Sequence, residues 1–188
     1  MYRDIRELYR EVMSCDKCAL SKTRRNIVFG EGDIKADIMF IGEGPGGEED
    51  RIGRPFVGRA GRLLDELIAS IGMKREQIYI ANIVKCRPPG NRDPLPKERE
   101  QCVGYLRAQV AFIRPKIIVC LGRIAAQTII SKGLSITRER GNWTKRKSFY
   151  ILPTYHPAAV LRNDMLKKDA YADFQSILEK YKEIGESV

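Results

Sequence analysis

Two rhythms of apolar residues run along the chain. Short, nearly continuous apolar runs occur at Asp37–Ile41, Gln77–Val84, Lys116–Leu121 and Ser148–Leu152. Runs of this length without alternation predict strands buried on both faces, as in a parallel sheet. Between and around them the apolar positions recur at helical spacing. Residues 1–13 place Ile5, Leu8 and Val12 on one side, and residues 61–71 do the same with Leu63, Leu64, Leu67, Ile68 and Ile71. Pro96 suits the first turn of a helix running from about 97 to Ile113. A short helix carries Ala125, Ala126 and Ile129, and a last one places Tyr171, Phe174, Ile177, Leu178 and Tyr181 on one face. Strands separated by helices predict a three-layer α/β/α domain spanning 1–188, with a central, mainly parallel four-stranded sheet.

In such a sheet, ligands bind outside the carboxyl ends of the strands. The residues at or just past those ends are Glu43 to Gly46, Asn82 to Arg87, Gly122-Arg123 and Tyr155-His156-Pro157. The first of these opens a glycine-rich stretch, Gly42-Glu-Gly-Pro-Gly46, between a predicted strand and a predicted helix. A loop built only for an anion should not carry Glu43, Glu48, Glu49 and Asp50, so more than phosphate binding is expected there. It also lacks the Gly-Lys-[Ser/Thr] ending of a nucleotide-hydrolysing loop. His156 is the only histidine. Asn82 is an amide inside an apolar run, which needs either internal hydrogen bonds or a ligand. Its donor and acceptor match the O4/N3–H edge of a uracil.

Charge and cysteine content add the partner and the cofactor. The 188 residues carry 34 Lys and Arg against 24 Asp and Glu, a net charge of +10 that points to a polyanionic partner, nucleic acid first. The basic segments Arg51–Arg62, Thr137–Lys147 and Arg162–Lys168 are candidates for phosphate contacts. No apolar run approaches the roughly 20 residues of a membrane helix. The first residues form no apolar signal core, which predicts a cytoplasmic protein. Of the five cysteines, Cys120 lies mid-strand and reads as a small buried residue. Cys15 and Cys18 form a C-x-x-C pair, and Cys86 and Cys102 form a second, wider pair. In an intracellular chain these four invite a metal rather than disulfides. Zn²⁺ and a [4Fe–4S] cluster both accept four thiolates, and spacing does not decide between them.

Five stretches taken together resemble the family 4 uracil-DNA glycosylases, the iron–sulfur type of thermophilic and other prokaryotes. They are Gly42–Gly46, Glu49-Asp50, Gly53–Gly61, Ala81-Asn82 with Lys85-Cys-Arg-Pro88, and His156–Arg162. The resemblance spans nearly the whole chain and keeps the motifs in order. It implies a monofunctional enzyme that flips uracil from DNA and hydrolyses its glycosidic bond. It implies a [4Fe–4S] cluster on Cys15, Cys18, Cys86 and Cys102, with a structural rather than catalytic role. Uracil would be bound by Gly42, Glu43, Gly44, Phe56, Asn82 and His156, with Phe56 stacking on the base and His156 near O2. Glu43, Glu49 and His156 are the catalytic candidates. Arg59, Leu161 and Arg162 would contact DNA, with Leu161 or Arg162 filling the gap left in the duplex. The expected protein is a monomer acting at the nucleoid on uracil-containing DNA.

Two departures from related families matter. The best-known uracil glycosylases have Gln-Asp where this chain has Glu43 and Gly44, so the water-activating carboxylate is expected to be Glu43, with Glu49 as its rival. The segment Cys86–Pro94 contains no histidine, so covalent trapping of DNA is not expected. The rival from another class is a non-catalytic iron–sulfur module that binds DNA without releasing a base; such a module has no use for a base pocket.

Overall fold

A computed structural model describes residues 2–186. In chain order the main elements are α1 (Ile5–Met13), β1 (Glu31–Gly32), β2 (Ile38–Gly42), α2 (Gly47–Ile52), α3 (Arg59–Ser70), β3 (Tyr79–Asn82) and α4 (Pro96–Ile113). They continue through β4 (Ile117–Leu121), α5 (Arg123–Ile129), α6 (Ile136–Glu139), β5 (Thr144–Lys145), β6 (Tyr150–Thr154), α7 (Pro157–Arg162) and α8 (Lys167–Glu186).

The strands form one sheet in the order β1-β3-β2-β4-β6-β5. The four predicted strands are its parallel centre, β3-β2-β4-β6. The expected count of four is corrected to six, because the two-residue strands β1 and β5 add antiparallel edges. Edges this short present little unpaired backbone for another chain to pair with.

Successive residues of each central strand feed two different cores. Met39 and Ile41 face one side with Leu8, Val12, Tyr105 and Leu106 of α1 and α4. Ile38 and Phe40 face the other with Leu63, Leu64, Leu67 and Phe174 of α3 and α8. Phe40 and Phe174 stack with ring centroids 5.5 Å apart. This alternation is why the strand runs are apolar throughout, and it yields the three layers. In α8, Phe174 and Ile177 are buried as expected, whereas Tyr171 is exposed.

Local chemistry sets the helix starts. Asp4 caps α1 by accepting from the Glu7 N–H at 2.8 Å. Glu98 accepts from the Leu95 N–H at 2.7 Å and from the Arg92 guanidinium, fixing the entry to α4. Three short helices lie where the sequence predicts none, α6, α7 and α2; in α2, Glu48, Glu49 and Asp50 form the first turn. Carboxylates there complement the helix dipole.

The chain steps from β2 to β3 on one side, then returns past β2 to β4 and on to β6. Loops leaving β2 and β4 therefore run in opposite directions, which opens a crevice at their carboxyl ends.

Candidate active site

That crevice is a cavity of about 580 Å³ lined by residues from all four central strand ends. β2 delivers Glu43 and Gly44, β3 delivers Asn82, β4 leads into Gly122 and Arg123, and β6 leads into Tyr155 and His156. The four sequence segments expected at one edge do converge there.

Asn82 is the last residue of β3 and is 1% exposed. Its Oδ1 is buried without a hydrogen-bond partner. A buried amide oxygen left unpaired costs roughly 1–3 kcal/mol, so its vacant lone pairs mark a place for a ligand donor. Gly42 sits beside it in register. A Cβ at Gly42 would fall 2.5 Å from Asn82 Oδ1 and 2.6 Å from the Phe56 ring, so only glycine lets the amide and the ring approach each other.

Phe56 is buried and holds φ of +50°. For a bulky residue this conformation costs of order 1–3 kcal/mol and persists only where the surroundings enforce it. Two groups do so. Glu49 Oε1 accepts from the main-chain N–H groups of Val57 and Gly58, each at 2.9 Å. Arg75 donates to the Pro55 carbonyl at 2.5 Å while bound to Glu31 and Asp65. Glu49 thus lies in the pocket wall with one oxygen committed to the Phe56 loop.

Glu43 and His156 are the titratable pair. Burial pushes the Glu43 carboxyl up to about 7, helped by Asp93 and opposed by Arg123 and Arg99. The close-packed surroundings of His156 push its imidazole down to about 4, with Arg162 adding to the effect and Glu49 opposing it. His156 is therefore neutral near pH 7. Its Nδ1 accepts from the Ala158 N–H at 3.1 Å as the cap of α7. An accepting Nδ1 puts the proton on Nε2, leaving that N–H available as a donor. The Phe56 and His156 rings lie 5.6 Å apart, tilted by 31°. Gly122, at φ +88°, leaves room for the histidine, since a Cβ there would come 2.8 Å from His156 Cβ. A buried ion pair steadies the end of β6 below the histidine: Asp173 accepts from Arg140 and from Thr154 Oγ1.

Of the residues expected to touch DNA, exposed Arg162 lines the cavity. Leu161 lies beside it on α7 and is 37% exposed. Arg59 is exposed at the start of α3, away from the cavity lining. Met165, which the sequence did not single out, is 86% exposed just beyond α7.

Cys15, Cys18, Cys86 and Cys102 ring a second, small apolar cavity, together with Val12, Leu20 and Val84. Among the described residues, no group of three or more His, Cys, Asp or Glu side chains is gathered tightly enough for a single metal ion. Backbone and side-chain donors already point at two of the sulfurs: the Lys85 N–H at Cys102 Sγ, 3.3 Å, and Arg24 at Cys86 Sγ, 3.4 Å. As free thiols, Cys86 is pushed up to about 11 and Cys102 upward by burial, each opposed by its cationic neighbour. Cys120 stands apart, fully buried in β4 as expected.

Sequence reasoning missed Asn91 and Asp93, which close the cavity from the loop before α4. Asp93 is held there by Arg123 at 2.5 Å. It also missed the burial of Lys85, whose one signal was a lysine directly after the apolar run Ile83-Val84.

Comparison with known proteins agrees with this geometry. Residues 29–180 match the Uracil DNA glycosylase superfamily. The chain is 49% identical to the Type-4 uracil-DNA glycosylase of Archaeoglobus fulgidus over 183 residues, covering 92% of this chain and 91% of the relative. It is 50% identical to that of Sulfurisphaera tokodaii over 93% of this chain and 84% of the relative. It is 49% identical to that of Thermotoga maritima over 81% and 80%. With a superfamily match over most of its length and type-4 relatives at half identity, the chain belongs to the uracil-DNA glycosylase superfamily, in its type-4 branch.

Proposed function

We propose that the protein excises uracil from DNA by hydrolysing the bond between N1 of the base and C1′ of the deoxyribose, leaving an abasic site. The observation that carries this reading is the unpaired, buried Oδ1 of Asn82 in a cavity walled by Phe56 and His156. Backbone binding alone would leave that polar group without purpose. No observation favours the non-catalytic DNA-binding module.

The residues divide the chemistry as follows. Asn82 Oδ1 accepts from uracil N3–H, and its amide donates to O4. Cytosine has no N3–H and a donor at its 4-position, so it fails both contacts. Phe56 offers a face to the flipped base, offsetting part of the few kcal/mol that flipping costs. As the C1′–N1 bond breaks, the electron pair leaves with the base and the sugar becomes cationic. The neutral His156 donates Nε2–H to O2, where the negative charge gathers, and is favoured for this over an already charged donor because the pocket keeps it neutral. Ionised Glu43 stabilises the sugar cation and takes a proton from the attacking water, whose oxygen bonds to C1′. Glu49 holds the Phe56 loop rather than the water. Arg162 and Arg59 engage phosphates, and Leu161 occupies the space left by the flipped nucleotide. The protein works as a monomer at the nucleoid.

We assign a [4Fe–4S] cluster to Cys15, Cys18, Cys86 and Cys102. The apolar cavity that the four thiols ring and the donors aimed at Cys86 and Cys102 support this assignment. When bound, the cluster cross-links the segment after α1, the loop after β3 and the helix α4, and takes no part in the reaction.

The test is release of free base from labelled oligonucleotides carrying uracil in pairs, mispairs and single strands. Strand breaks only at uracil, and only after alkaline treatment, are expected. DNA binding without base release would overturn the reading in favour of the binding module.

A further inference from the structure

Lys85 follows the β3 run directly and is 2% exposed, one of the largest fully buried side chains. Its Nζ donates to the Asn82 carbonyl at 3.0 Å and to Gln109 Oε1 at 2.6 Å. Its own N–H donates to Cys102 Sγ at 3.3 Å, and the next residue is Cys86. Gln109 is held in turn, donating to the Phe29 carbonyl at 2.9 Å and to Tyr79 Oη at 3.1 Å.

This is a buried cation with an unusual set of partners. Among the described residues, no carboxylate pairs with Lys85; both acceptors of its Nζ are neutral oxygens. Leaving a buried ammonium without an opposing charge is unfavourable. The sulfurs that border it are Cys102 Sγ, 3.3 Å from its main-chain N, and that of Cys86, the next residue. Neutral thiols supply no negative charge, whereas thiolates holding a metal group do. The missing counter-charge of Lys85 is thus found in the thiol cavity, while its Nζ grips the carbonyl of the residue that reads the base.

We propose that Lys85 is a positioning residue that couples the two sites: the anionic cluster retains the Lys85 ammonium, and the ammonium fixes the backbone of Asn82 in the uracil pocket. The proposal rests on the assignment of an iron–sulfur cluster to the four thiols. The direction of coupling follows from the bonds. A loaded cavity holds Lys85 in place and Asn82 aligned. An empty one leaves the ammonium uncompensated, and Asn82 loses its tether. By reciprocity, uracil bound at Asn82 should slow the loss of the cluster.

The experiment compares wild type with Lys85→Met, which keeps length and removes charge, both prepared without oxygen. Iron and sulfide content, the lifetime of the visible absorbance in excess chelator, the cluster's reduction midpoint and affinity for uracil-containing duplex, its uracil carried on a 2′-fluorinated sugar that resists hydrolysis, against thymine-containing duplex are measured. Lys85→Met is expected to lose its cluster at least tenfold faster and to shift the midpoint to more negative potential. It should bind uracil-containing duplex about tenfold more weakly, with affinity for the thymine duplex unchanged. Uracil-containing duplex should lengthen the cluster lifetime in wild type and not in Lys85→Met. A variant with wild-type midpoint, cluster lifetime and uracil preference would overturn the proposal, as would altered uracil preference with an unaltered cluster. Should Lys85→Met not fold, Gln109→Leu keeps the cation and removes its side-chain acceptor; it should lose the cluster about threefold faster and bind uracil-containing duplex about threefold more weakly, and no change in either would overturn the proposal. Wild type containing no iron or sulfide would instead defeat the cluster assignment, a result separable from all of these.

Discussion

The base pocket and the thiol cavity are joined through Lys85, yet they are built on opposite terms. The pocket keeps polar groups in arrangements the fold disfavours: an unpaired amide oxygen on Asn82, a half-buried carboxyl on Glu43, and a left-handed Phe56. Those costs are tolerated because neighbours enforce them, through Glu49, Arg75 and the Asp173 cluster. The thiol cavity is apolar, and the costly feature beside it is a buried cation bonded only to neutral oxygens. One site is ready before its ligand arrives, whereas the other is complete only with its ligand. Changes in the pocket should therefore reach turnover first and stability little, and changes at the cysteines should do the reverse.

The largest expected effect is that of Glu43→Gln. Turnover should fall about 10²–10³-fold, the scale of losing one charge-stabilising group in an active site. In wild type, kcat/KM should rise with pH through about 7 as the carboxyl ionises, and the variant's profile should lose that limb. Stability should move the other way. The fold raises the Glu43 pKa, so its contribution is full below pH 4.5 and is lost as pH rises through about 7. Thermal melts of wild type and Glu43→Gln should accordingly diverge in favour of the variant between those limits. His156 works in the opposite sense, its contribution being full above pH 6.5 and lost as pH falls through about 4. Near-normal turnover in Glu43→Gln would remove the carboxylate from its assigned role.

Cys86→Ser should invert that pattern. Iron content and visible absorbance should drop, and the unfolding midpoint should fall by ~4–8 °C, the shift that a loss of about 2 kcal/mol gives a chain of this length. Unchanged melting with normal iron content would contradict a cross-linking role. Arg75→Met tests the enforced loop between these extremes. It should raise KM about tenfold, with a smaller change in kcat, as Phe56 relaxes from positive φ; a KM equal to wild type would mean that Glu49 alone holds the loop. Leu161→Ala should be the mildest, slowing excision from duplex a few-fold and from single strands hardly at all, since no gap needs filling there. Equal slowing on both substrates would deny it that role.

The four central strands were legible because a strand buried on both faces must be apolar throughout. The edges Glu31–Gly32 and Thr144–Lys145 were not, since two residues carry no pattern. The glycines around Glu48–Asp50 concealed α2, because glycine signals a turn regardless of the acids that fill the helix's first turn between them. Asn82 stood out as an amide inside an apolar run, and His156 as the only histidine, just past the end of one. The committed oxygen of Glu49 did not, because its partners Val57 and Gly58 approach only once the loop has folded back over α2. Lys85 was hidden by its setting, where a lysine next to cysteine and arginine reads as part of a polar loop. The cysteine pairs announced a metal, but the kind of metal came from resemblance to a family rather than from spacing.

The most direct test of the pocket as the uracil site is single-turnover base release by wild type and Asn82→Ala, with DNA affinity measured in the same samples. Wild type should release uracil and neither thymine nor cytosine. Asn82→Ala should release uracil at least 100-fold more slowly while binding undamaged duplex as tightly as wild type. Equal uracil release by the two proteins would contradict the account, placing the base-reading chemistry outside this crevice.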